Sequence, residues 1–145
     1  MQYVKLLGIV DDGSELSPDL YENPKRAFSL PRGGQSTIDI KVVTRAGIPG
    51  QRAGTVTFAA DKQLLGGGDD CAGTGIPAIQ KTGTLVATEG DTVFRVVLEP
   101  EDTDTLEVGR YLYDVWWADS GPSMQIVPVA SMHLSQAVGV GFATA

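Results

Sequence analysis

The chain has 145 residues, enough for one sizeable core without disulfides. Its composition, 42% hydrophobic and 20% charged, excludes a disordered chain. A formal net charge of -7, with 11 basic residues scattered along the chain, excludes the clustered basic surface that nucleic acid requires.

From the N-terminus, Met1 to Val10 carries only Lys5 as a positive side chain, and its apolar run is too short for a secretion signal. It reads as a strand. Asp11-Asp12-Gly13-Ser14-Glu15, followed by Pro18 and Pro24, reads as an extended arm, so residues 1–26 form an N-terminal strand and arm. Alternation then begins. Ile38, Ile40 and Val42 share a face, as do Val56, Phe58 and Ala60. The turn Arg32-Gly33-Gly34 precedes the first of these runs, and Ala46-Gly47-Ile48-Pro49-Gly50 separates the two. The glycine-rich stretch 66–75 reads as a loop. Leu85-Val86-Ala87 and the run from Val93 to Leu98 flank a tight turn at Glu89-Gly90-Asp91. Phe94, Val96 and Leu98 share one face of the second run.

Further on, Tyr111, Tyr113, Val115 and Trp117 form a face, and Asp119-Ser120-Gly121-Pro122 ends their strand. Ala130, Met132 and Leu134 alternate in the last strand. The tail, residues 136–145, is apolar and glycine-spaced, with Val138, Val140 and Phe142 as candidate contacts. Nothing approaches the roughly 20 apolar residues of a membrane span. Many short strands with turn signals predict an all-β antiparallel sandwich over residues 27–135, each sheet covering the other's apolar face.

The segment from Glu99 to Trp117 is the most specific. A polar turn leads through Leu106 to Gly109, then to Tyr111 and Tyr113. Immunoglobulin-type sandwiches place a tyrosine corner here, its ring buried and its hydroxyl bonded to backbone a few residues upstream. Gly109 relieves crowding at that corner. Tyr113 stands where antibody domains carry their second cysteine, so this core closes by packing alone. Leu112 and Trp116 then point outward as a candidate contact patch.

Asp102, Thr103, Leu106, Gly109, Tyr111, Tyr113, Asp114 and Val115 form a pattern that resembles the immunoglobulin-like domains of bacteriophage virion proteins. These include the N-terminal domains of baseplate upper proteins and stand-alone structural proteins. Gly90-Asp91-Thr92 with Phe94, Val96 and Leu98 matches the preceding strand, and the resemblance spans about residues 35–135. It implies a virion component made in the host cytoplasm and present in many copies. Its partners would be major capsid or tail subunits, with no cofactor and no catalytic residues.

Other chemistry finds little support. His133 is the one histidine, faces away from Met132 and Leu134, and has no ligand at zinc spacing. Asp11-Asp12, Asp69-Asp70 and Glu101-Asp102-Asp104 match no EF-hand loop and read as acidic turns. The glycines of 66–75 lack a Gly-Lys-Ser/Thr ending. Cys71, the only cysteine, makes no intrachain disulfide and lies among acidic residues that blunt a thiolate. A non-enzymatic protein is therefore expected. An accessory capsid decoration or cement protein leads, with a tail, baseplate or fibre adaptor as the alternative. A carbohydrate-binding module using Trp116, Tyr21 and Tyr3 is the reading from another class.

Overall fold

The fold is known from a computed structural model, which describes residues 2–11, 13, 15, 26–50, 53–62, 77–87 and 89–136. Eight strands carry it: β1 (Gln2–Val10), β2 (Phe28–Pro31), β3 (Ser36–Thr44), β4 (Thr55–Lys62), β5 (Ile79–Ala87), β6 (Thr92–Leu98), β7 (Gly109–Ala118) and β8 (Met124–Ser135). One helical turn, α1 (Pro100–Thr103), joins β6 to β7. The expected all-β, immunoglobulin-like sandwich is what forms. Hydrogen bonds link the strands in the order β1-β3-β6-β5-β4-β7-β8-β2. This order folds over at β5, whose first half pairs with β4 and whose second half pairs with β6. One layer is therefore β1, β3, β6 and the end of β5, and the other is the start of β5, β4, β7, β8 and β2.

The pairs between β3 and β8 along this order are all antiparallel, whereas the end strands β1 and β2 run parallel to β3 and β8. Neither end strand belongs to a hairpin with its neighbour, so nothing forces the antiparallel sense. β1 contributes Val4, Leu6 and Val10 to the core. The arm after Glu15, the glycine-rich loop with Cys71, Tyr21, and the tail with Val138, Val140 and Phe142 lie outside the described residues.

The alternation read from sequence is the core. Ile38, Ile40, Val42, Val56, Phe58, Phe94, Val96, Leu98, Met132 and Leu134 are all fully buried. Each layer hides one face from water, and this burial is the main term favouring the fold. The fold-over at β5 needs a residue without a side chain. A Cβ at Gly83 would stand 2.6 Å from Val96 Cγ2, 2.8 Å from Val56 Cγ2 and 2.9 Å from the Arg95 carbonyl oxygen.

The turns form as expected at residues 32–34, 45–48 and 89–91, with Gly33, Gly47 and Gly90 at positive φ. Between β7 and β8, Ser120 takes φ 57°, the left-handed region that crowds its Cβ. Ser120→Gly should therefore raise stability by about 1 kcal/mol, read from a urea midpoint. An unchanged or lower midpoint would mean that the strain is absent.

Candidate interface

The corner and the face are separate structures on the same strand. β7 turns Tyr111, Tyr113 and Val115 inward, and Leu112, Asp114 and Trp116 outward. The inward set builds the corner. Gly109 enters the strand at φ 139°, a conformation that side chains disfavour. The Tyr111 hydroxyl donates to the Glu107 carbonyl, 2.8 Å away and four residues upstream, with its ring buried. Leu106 packs half-buried against the core. The Tyr113 hydroxyl donates to the Arg26 carbonyl, and its ring lies 5.3 Å from Phe58 and 5.0 Å from Phe28. Burial pushes both tyrosine hydroxyls above their usual titration range.

Lys62 at the end of β4 pairs with Glu107, and its ammonium stands 6.0 Å from the centre of the Tyr111 ring. The hydrogen bond from Lys62 holds the Glu107 carboxylate below its usual range. Glu107 is exposed and Lys62 half-buried, so the pair adds little stability. The acids of α1 serve the same turn. Asp102 accepts the Glu99 backbone N–H at 2.7 Å and the Lys81 ammonium at 3.1 Å. Among the described residues, no group of three or more His, Cys, Asp and Glu is placed to hold a metal ion. His133 is exposed on the outer face of β8, opposite Arg110.

The outward set forms the candidate interface. Trp116 is 40% exposed, with Thr57 of β4 on one side and Gln125 of β8 on the other. Its indole N–H donates to Asp114 Oδ2 at 2.9 Å, and Gln125 Nε2 donates to the same oxygen at 3.1 Å. One carboxylate oxygen thus anchors the indole. A wide apolar ring is held ready in water, so little side-chain entropy remains to be lost on binding. Beside it lies an open recess of about 200 Å³, lined by Ala59, Asp61, Pro77, Leu112, Asp114 and Val129. Ala59 lies opposite Asp114, and its small side chain makes the depression. The recess is smaller than the roughly 300–1,000 Å³ of small-molecule clefts. It suits one anchoring side chain of a partner.

The structure thus joins Leu112 and Trp116 on one face through Asp114. Tyr3, 63% exposed, lies on β1 in the opposite layer, so it shares no platform with Trp116. Ala59, Pro77, Gln125 and Val129 complete the face without having stood out in the sequence. The signal available was Ala59 at an outward position, between Thr57 and Asp61, where a strand favours a larger side chain.

No family model matches the chain, and no curated protein matches it. Among solved structures, it is similar to the N-terminal domain of phage TP901-1 ORF48. The two share 11% identity over 92% of this chain and 99% of the other, with a TM-score of 0.42.

Proposed function

We propose that the chain is a non-enzymatic structural component of a bacteriophage particle that docks on neighbouring virion proteins. The outer face of β4, β7 and β8 is the docking surface. The carrying observation is Trp116, exposed and anchored by Asp114, which also lines a neighbouring recess. Exposed aromatic anchors with a neighbouring pocket are what dominate protein interfaces. The motif from Asp102 to Val115, with its resemblance to virion immunoglobulin-like domains, supports the phage setting. Within the particle, we place the chain on the capsid as a decoration or cement protein, ahead of a tail or baseplate adaptor.

The test is co-sedimentation of the purified protein with particles of the phage that encodes it, prepared without the gene. Binding should saturate, and Trp116→Ala should weaken it by about 30-fold while leaving the urea midpoint nearly unchanged. Immunogold label on heads supports the capsid placement, and label on tails replaces it with the adaptor. Loss of binding to a glycan array in Trp116→Ala, with no binding to particles, would favour the carbohydrate reading instead.

A further inference from the structure

The two ends of the strand order differ in one chemical respect. β2 is four residues long and ends in Pro31, which has no N–H to offer. The part of β8 that β2 leaves uncovered holds Pro128, and its pairing with β7 shifts register there. Short strands, proline and bulges all discourage a further strand from pairing. β1 is nine residues long, regular, and free of proline and bulge.

The free edge of β1 can be read residue by residue. The Gln2 N–H donates to the Gln35 carbonyl at 3.1 Å, so Gln2, Val4, Leu6, Gly8 and Val10 direct their backbone groups to β3. Tyr3, Lys5, Leu7 and Ile9 therefore direct their N–H and C=O groups away from it. Their side chains also stand on the outer face, because Val4, Leu6 and Val10 point into the core. Among the described residues, no strand pairs with this edge.

We propose that β1 pairs antiparallel with β1 of a second copy about a two-fold axis at Leu6. The occupant must be an extended strand, since only that satisfies a row of backbone groups. The side chains select the second copy and the register. With the axis at Leu6, Tyr3 faces Ile9 and Lys5 faces Leu7, and all four edge residues find a partner. Each exchanges both backbone hydrogen bonds with its opposite. The exposed Tyr3 ring is covered by Ile9, and the Lys5 stem lies along Leu7. Moving the axis to Lys5 sets two ammonium groups directly opposite, which is unfavourable. Moving it to Leu7 leaves Tyr3 unpaired. The neighbouring rows accept this arrangement, because Lys41 next to Leu7 already pairs with Asp91, and Asp39 next to Lys5 pairs with Arg95.

The test is sedimentation velocity of the full chain over a concentration series, with reductant present so that Cys71 cannot link two copies. A reversible dimer is expected. Leu7→Pro removes an N–H that points away from β3 and keeps every β1–β3 hydrogen bond, so the thermal midpoint should change little. Its dimer should dissociate about 30-fold more readily, since the two-fold axis removes two hydrogen bonds at once. Leu7→Lys should do the same through charge, by facing Lys5. A chain that stays monomeric at every concentration overturns the proposal. So does a dimer that both variants leave intact.

Discussion

Gly83→Ala should lower the unfolding free energy by about 3 kcal/mol, and Gly83→Val should prevent folding at room temperature. β5 leaves β4 and joins β6 at this residue, so backbone and side chains from both layers converge on its Cα. An added methyl meets Val96, Val56 and the Arg95 carbonyl, all within 3 Å. A flexible side-chain tip could swing aside, but Val96 and Val56 are branched and fully buried, and the third atom is backbone. Relief would require separating the layers. The control is Gly121→Ala, whose methyl finds its nearest neighbour at 3.7 Å. That variant should stay within about 0.5 kcal/mol of the parent. Urea unfolding of the parent, Gly83→Ala and Gly121→Ala decides the matter. Equal midpoints for Gly83→Ala and Gly121→Ala would mean that β5 does not cross between layers at Gly83.

Tyr113→Ala should cost about 4 kcal/mol, comparable to losing a disulfide from a small domain. Antibody domains close their layers at this position with a cysteine pair. Here the buried Tyr113 ring stands in the core instead, packed on Phe58 from β4 and Phe28 from β2 within its own layer. Its hydroxyl also holds the chain before β2 through the Arg26 carbonyl. Tyr113→Phe keeps the ring and loses that bond, at a cost of about 1 kcal/mol. The pair of variants thus separates packing from tethering.

Alkaline pH adds a second readout at the same residue. Burial raises the Tyr113 pKa in the folded state, and Tyr111 shifts the same way. Stability from such a shift is fully present below the unfolded value near 10 and is lost as pH rises above it. The parent should weaken between about pH 10 and 12, and Tyr113→Phe should weaken less over that window. Parallel curves would mean that the phenol is already in water.

Much of this architecture is written in local pattern. Ile38, Ile40 and Val42, or Phe94, Val96 and Leu98, alternate with polar neighbours that the pleat turns outward, so two-residue periodicity identifies their buried face. The corner is legible because Gly109 and Tyr111 are two residues apart and the accepting carbonyl is local. β5 is less visible. From Gln80 to Thr84 it carries no apolar alternation, because the inward positions there are Lys81, half-buried, and Gly83, while Gln80, Thr82 and Thr84 are exposed. The parallel pairing of β1 with β3 depends on contacts over 30 residues apart, which no local signal encodes. The interface divides in the same way. Leu112 and Trp116 follow from strand alternation, whereas the recess joins Ala59, Pro77 and Val129 from three separate stretches. Asp114 lies within the motif, but local pattern does not show that its Oδ2 accepts both the Trp116 indole N–H from the same strand and Gln125 from the next.

The most direct measurement is a cryo-EM map of the intact particle at side-chain resolution. We expect this sandwich at repeated positions on the virion surface, with the Trp116 indole buried against another subunit and a partner side chain in the Ala59 recess. A map that contains the sandwich with Trp116 facing solvent would contradict the docking face, and particles lacking it altogether would contradict the virion role.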